Sequence, residues 1–405
     1  MKEHVRRIFG FALMPAMSIL ATLVLLPLIS AKFGSGGWSS LAIGQSVGAL
    51  LAVLVMMAWN VVGGNQIATT PDPDVRLSTY RISVLSRSVV FLIVVPFGIV
   101  FALLVLRPEF ALATALFLTA SAANGLSASW YYSGVGEPRY LVINEGFVRL
   151  GGYTVSLVGV LLGLPLEWYG ACMVLTGITM FTLNWARVMG RRPFVVPGAW
   201  REALSELRRQ LYGMSSRITQ SIYTYGSVSF VGIFAPGVLP IFAAADQVQK
   251  AAYNAIAFLP SAFVAWVGGS TGDARRRRTK ASLIFVIGVA VVFLVCWILL
   301  SPFIIQILFA GEADISELNL LLIGLAIACS LLQGAFGLLV LVPAGKQNYI
   351  YTSVNVCSLI GIAASILGAA FFGVTGALLA ALLMPLTLSI LYAVRGATLG
   401  RTREA

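Results

Sequence analysis

The chain has 405 residues, of which 59% are hydrophobic and only 10% charged, with a formal net charge of +12. So little charge cannot cover a water-soluble surface of that size, so lipid is the expected solvent for most side chains. The basic excess lies in gaps between apolar runs, with no soluble segment to present it, which excludes nucleic acid and points to the lipids of the anionic cytoplasmic leaflet.

In chain order the apolar runs fall near 8–31, 39–63, 88–106, 111–132, 142–162, 168–188, 212–235, 240–267, 281–309, 318–342, 350–372 and 375–395. Each is long enough to cross a hydrocarbon core of roughly 30 Å as a helix, some with tilt. The first is too long for a signal-peptide core and reads as a retained span. Only Gly373, Val374 and Thr375 part the last two.

Charge placement sets the orientation. With the N-terminus inside, the inner segments hold all but five of the 27 basic residues, including Arg76, Arg81 and Arg87, Arg187, Arg191 and Arg192, and the run Arg275–Arg278. The outer loops hold only Lys32 and Arg107, and the loop at 310–317 carries Glu312, Asp314 and Glu317. This bias predicts both termini in the cytoplasm and an even number of spans. The expected fold class is an all-α polytopic membrane protein of about twelve transmembrane helices. They form two six-helix lobes related by a pseudo-two-fold along the membrane normal. The N-terminal lobe takes 1–188, a cytoplasmic linker 189–211, and the C-terminal lobe 212–405. Within the linker, Trp200–Leu211 sets Leu204, Leu207 and Leu211 apart from Arg201, Arg208 and Arg209. That suits a short helix on the inner surface, with a solvated linker as the plain alternative. A faint internal repeat links Gly136-Glu-Pro-Arg-Tyr140 to Gly345-Lys-Gln-Asn-Tyr349, and Tyr169-Gly-Ala171 to Thr375-Gly-Ala377.

Several chemistries are missing. There is no G-x-x-x-x-G-K-[ST] run, so no P-loop. The only histidine is His4, and Cys172, Cys296, Cys329 and Cys357 lie inside apolar runs without metal-ligand spacing. Neither a metal nor another cofactor is expected, and the cysteines read as packing residues. Asp72-Pro-Asp74 resembles a sugar-nucleotide D-x-D, but Pro71 and Pro73 make it a turn. The short outer loops leave little room for a catalytic centre, so no enzyme activity is expected.

Five ionisable residues sit inside apolar runs: Glu145, Arg149, Arg217, Asp246 and Lys250. A charge at the bilayer centre costs at least about 2.5–3.5 kcal/mol, so such groups face a partner or a cavity. Glu145–Arg149 and Asp246–Lys250 have i,i+4 spacing, acid first, the better order for a helical ion pair. The plain reading is that each pair neutralises itself. Arg217 has no acid within one turn. Ser216, Gln220, Tyr223 and Ser227 continue a polar stripe along its helix. Asn124 and Ser127, Gln45, Tyr253 and Asn254, and Asn355 add polar groups on other spans. A polar, mildly cationic cavity follows, suited to a substrate with an anionic group and many hydroxyls. Arginine's fork matches phosphate, and tyrosine suits sugar rings.

Four segments carry a resemblance: Leu26–Gly34 with Trp38–Gln45, Trp130–Gly136 followed by Arg149, Ile241–Lys250 ahead of Leu259-Pro260, and Gly345–Tyr349 with Gly373–Ala377. In order and spacing they resemble the polysaccharide flippases (Wzx type) of the multidrug/oligosaccharidyl-lipid/polysaccharide exporter (MOP) superfamily. The resemblance implies a flippase of the bacterial inner membrane. Such proteins move an undecaprenyl-pyrophosphate-linked oligosaccharide from the inner to the outer leaflet for cell-surface polysaccharide synthesis. They work by alternating access, coupled to an ion gradient. It maps the pyrophosphate onto Arg149, Arg217 and Lys250, with Ser216, Gln220 and Tyr223 beside them, and leaves Asp246 or Glu145 as candidate carriers of the coupling ion. A polysaccharide polymerase and assembly proteins are the partners it suggests. The alternatives are a multidrug exporter of the same superfamily, whose cationic substrates favour an acidic cavity, and a membrane enzyme of glycan assembly.

Overall fold

The structure is a computed structural model describing residues 2–194, 196, 198–211, 215–268, 270, 272–309 and 315–401. Side chains are described from Leu25 onward, apart from those at 61, 62, 65, 138, 209, 211, 215–217, 265, 268 and 399–401. Arg217 and Ser216 as side chains, and the loop acids Glu312 and Asp314, therefore lie outside the described residues.

Helices α1 (Lys2–Met56), α2 (Trp59–Thr69), α3 (Pro73–Phe101), α4 (Ala111–Ala123), α5 (Ser129–Val135), α6 (Pro138–Leu141), α7 (Val148–Leu161), α8 (Leu166–Met189) and α9 (Ala199–Leu211) follow one another in the first half. Helices α10 (Ser215–Phe234), α11 (Leu239–Ile256), α12 (Leu259–Gly268), α13 (Gly272–Leu308), α14 (Glu317–Phe336) and α15 (Gln347–Arg401) complete the chain. Each predicted apolar run lies on one or more of these helices. Among the described residues seven helical segments are long and apolar enough to cross a membrane. The pair Ile218–Phe234 and Pro236–Val264, bent by 119°, would make an eighth if taken as one span.

Two of the long helices carry a sharp glycine turn where a loop is predicted. Gly34 (φ 59°, ψ −161°) interrupts α1 and Gly373 (φ 57°, ψ −134°) interrupts α15. Both take positive φ, which glycine adopts without a Cβ clash. Across the second turn, the backbones of Gly368 and Gly376 touch. A straight helix would hold residues eight apart about 12 Å from each other. The last helix is therefore a tight hairpin whose two arms meet glycine on glycine.

The chain divides into two compact units, Met1–Ser229 and Phe230–Ala405, the division falling within α10. In the first unit α1 packs along α3, α4 and α7, α4 packs on α8, and α7 on α8. Trp59, Tyr80, Trp130 and Tyr132 form one core cluster with Met189, and Leu25, Ile29, Leu41, Phe117 and Tyr169 another. In the second unit α14 packs between α13 and α15, with Val286, Ala290, Leu331 and Leu339 in its core.

The repeat visible in sequence recurs as geometry inside each unit. Gly136 and Gly345 both have positive φ, 75° and 70°. Four residues later, Tyr140 lies 3.8 Å beneath the Arg187 guanidinium and Tyr349 lies 5.6 Å beneath that of Arg395. In both units a left-handed glycine is followed by a tyrosine that an arginine far along the chain covers.

The predicted linker helix forms as α9 but buries a different edge. Ala199 and Ala203 pack on Leu85 of α3, and Leu207 packs against the tryptophan cluster, while Trp200 and Leu204 stay exposed. Gln210 is buried, and its side-chain oxygen accepts from the Ala58 N–H at 3.0 Å, capping the break between α1 and α2. Asp72 caps α3 by accepting from the Asp74 N–H at 2.9 Å, so the proline-flanked pair is a helix start.

Candidate functional site

The fourth apolar run is a broken helix. After α4, Asn124–Leu126 forms a 3-10 turn, Ser127 is extended (φ −52°, ψ 144°), and α5 restarts at Ser129. Gly125 lets this break approach α1 closely, since a Cβ there would meet Ala52 O at 2.6 Å. Any such break leaves carbonyls without donors on one side and N–H groups without acceptors on the other.

Buried charges meet both needs. Arg87, on α3, is fully buried. Its Nη1 donates to Gly125 O at 3.2 Å and Ser127 O at 2.8 Å, and its Nε to Ser83 O at 3.2 Å. The guanidinium lies 5.8 Å from the Trp130 ring centre. Glu145 is 1% exposed. Its carboxylate accepts from Ser127 Oγ at 2.8 Å, from the Ala128 N–H at 3.0 Å and from Asn184 Nδ2 at 3.0 Å. Asn184 Oδ1 in turn accepts from Tyr132 Oη at 3.1 Å and Asn144 Nδ2 at 3.2 Å.

Two sequence-based readings are corrected here. Arg87 is not an inner-loop cation but a core residue of the first unit. Glu145 does not pair with Arg149: residues 142–147 form a π-helical turn, which inserts a residue and rotates the following helix. Glu145 consequently faces the break, while Arg149 Nη2 donates to Asn124 Oδ1 at 2.6 Å. Asp246 and Lys250 on α11 do form the expected i,i+4 pair, 2.6 Å apart.

Arg149 lines an open pocket wholly within the first unit. Gln45, Ser121, Asn124, Tyr153 and Thr176 supply polar groups, and Phe117, Tyr169, Met173 and Met180 supply apolar wall. The lining includes no carboxylate. Among the described residues none forms an ion pair with Arg149. Its Nε is buried and makes no hydrogen bond to any described atom. Here a cation is held on one side by a neutral acceptor, with donors to spare, a chemistry that receives an anionic oxygen.

Of the other predicted site residues, Gln220 on α10 is exposed and Tyr223 half-buried, and Lys250 belongs to the second unit. Sequence reasoning missed Arg87, Asn144, Asn184 and Tyr132. The adjacent Asn144-Glu145 in an apolar run was a local signal, whereas nothing near Arg87 in sequence marks it as buried. Among the described residues no group of three or more His, Cys, Asp or Glu is placed to hold a metal.

No family model and no curated protein sequence matches the chain. Solved structures do match over nearly its whole length. The lipid II flippase MurJ in an inward closed conformation superposes with a TM-score of 0.63 at 13% identity, covering 96% of this chain and 87% of that one. A MATE transporter in complex with MaL6 gives 0.60 at 12% identity, covering 96% and 94%. An inward-facing multidrug resistance transporter of the MATE family gives 0.57 at 11% identity, covering 97% and 96%.

The chain shares the fold of these solved transporters. At this identity the likeness concerns the fold, that of a multi-pass α-helical membrane protein, and the substrate must be argued from the residues.

Proposed function

We propose that the chain is a secondary transporter that flips an undecaprenyl-pyrophosphate-linked oligosaccharide from the inner to the outer leaflet of a bacterial cytoplasmic membrane, by alternating access. The observation that carries this reading is Arg149. It is a cation in a polar, carboxylate-free pocket, backed by Asn124. A guanidinium so placed offers the forked donors that a phosphate accepts, and Gln45, Ser121 and Tyr153 offer neutral groups to hydroxyls nearby. Arg217 and Lys250 are proposed as further contacts along the path, with Ser216, Gln220 and Tyr223 as polar lining. Drug export would call for a carboxylate to meet a cationic substrate, and this pocket has none.

Of the two coupling candidates, Asp246 fits better. Glu145 is held by three donors, from Ser127, Ala128 and Asn184, in the structural brace of the break, whereas Asp246 has one partner cation in Lys250.

The test is flipping of lipid-linked oligosaccharide in proteoliposomes, alongside polysaccharide export in cells. Arg149→Ala and Arg217→Ala are each expected to cut transport by about tenfold or more at normal membrane levels, the loss of one charge-assisted contact. Wild-type transport in Arg149→Ala would remove that residue from the substrate path. Export of cationic drugs by a chain inert toward the glycolipid would replace the reading with the multidrug alternative.

A further inference from the structure

We infer that Arg87 and Glu145 are positioning residues that brace the break in the fourth span from opposite ends and thereby aim Arg149 into its pocket. The inference rests on Arg149 being the anion contact proposed above, but its own evidence is the geometry of the break.

The two charges match the polarity of the groups they hold. The end of α4 presents carbonyl oxygens, the negative pole of a helix, and the cation Arg87 donates to Gly125 O and Ser127 O there. The start of α5 presents N–H groups, the positive pole, and the anion Glu145 accepts from Ala128 N–H. Ser127 joins the two: its carbonyl accepts from Arg87, its hydroxyl donates to Glu145, and that same oxygen accepts from the Ser129 N–H at 3.2 Å. In the same break, Asn124 Oδ1 accepts from Arg149.

Arg149 is therefore tied to the break twice. One tie is direct, through Asn124. The other runs along the chain, because the π-helical turn that sends Glu145 into the break ends at Phe147. Were the brace released, Asn124 would shift with the 3-10 turn and the start of α7 with Glu145. The guanidinium would then lose both its acceptor and its direction.

The experiment uses the full-length protein in detergent micelles and has two arms. The first measures the rate at which phenylglyoxal modifies Arg149, read by peptide mass spectrometry, and needs no ligand. The second measures the affinity for inorganic pyrophosphate by calorimetry. Glu145→Gln and Arg87→Gln are expected to raise the Arg149 modification rate by about threefold or more, as Asn124→Ala does, while Arg87→Lys stays nearer the wild type because a cation still reaches the carbonyls. Glu145→Gln is expected to weaken pyrophosphate binding by about tenfold, and adding it to Arg149→Ala to weaken binding no further, since the two then act through one contact.

An unchanged Arg149 rate in folded Glu145→Gln and Arg87→Gln would overturn the inference. Multiplicative losses of affinity in the double variant would do the same. Shifted rates in a protein that binds no pyrophosphate would uphold the brace and sink the anion reading instead. Should both charge variants fail to fold, Ser127→Ala, which removes only the joining hydroxyl, is expected to raise the Arg149 rate, and a rate equal to the wild type would count against the brace.

Discussion

Among the described residues of the first unit, Arg87 and Glu145 are the charged side chains that are buried. Both are buried, and neither forms a direct ion pair among the described residues; each is held by hydrogen bonds from or to Ser127 and the backbone of the break. In such a setting removing one charge is worse than removing both, because the survivor is left buried without its complement. Arg87→Leu is expected to destabilise the protein by about 3–5 kcal/mol, the range for breaking a buried pair. Thermal unfolding in detergent should show this as a fall in Tm, and Arg87→Leu combined with Glu145→Leu should recover part of it. A double variant less stable than either single would mean that the backbone groups at the break, rather than charge balance, dominate.

At the scale of elements, breaks and turns do what uninterrupted helices cannot. In an apolar medium every backbone polar group needs a protein partner, so non-helical segments persist only where side chains supply one. Three irregular points of the first unit show this: Lys32 donates to the carbonyls of Val160 and Leu161 at the end of α7, Gln210 caps Ala58, and Arg87 and Glu145 hold the break after α4. Where a turn is tight enough, no side chain fits, and glycine takes over. Gly368 and Gly376 touch in the final hairpin, so Gly376→Val is expected to force its arms apart. The expected result is a strong drop in folded yield by fluorescence-detected size exclusion, whereas Gly288→Val, at a glycine with open space beside it, should be nearly silent. Equal yields from the two would contradict the close packing of the arms.

For the whole molecule, the placement of charge is the main determinant of how the helices enter the membrane. Exposed bases gather on the segments predicted to be inside, including Arg191, Arg192 and Arg201 around the entry to α9 and Arg276 and Arg277 at the start of α13. Reporter fusions give the check: after residue 405 a fluorescent reporter should be active and a periplasmic phosphatase silent, with the reverse after Gly163. A phosphatase active at the C-terminus, with the N-terminus inside, would require an odd number of crossings and would displace the six-and-six arrangement.

Much of this architecture is legible in the amino-acid order alone, because it follows from local rules. Apolar runs of spanning length become helices whatever surrounds them. Gly34 and Gly373 turn the chain because glycine takes positive φ without a Cβ clash, and Asp246 reaches Lys250 because one regular turn separates them. What tertiary structure decided is the fate of the charges near the break. Arg87 reads as a loop cation until α4 and α5 deliver carbonyls to it from some forty residues away in sequence. Glu145 and Arg149 read as partners until a π-helical turn separates them. That turn and that break bring together groups remote in sequence, and no periodicity records them: a buried charge goes where its counter-groups are, and those are set by how helices stack.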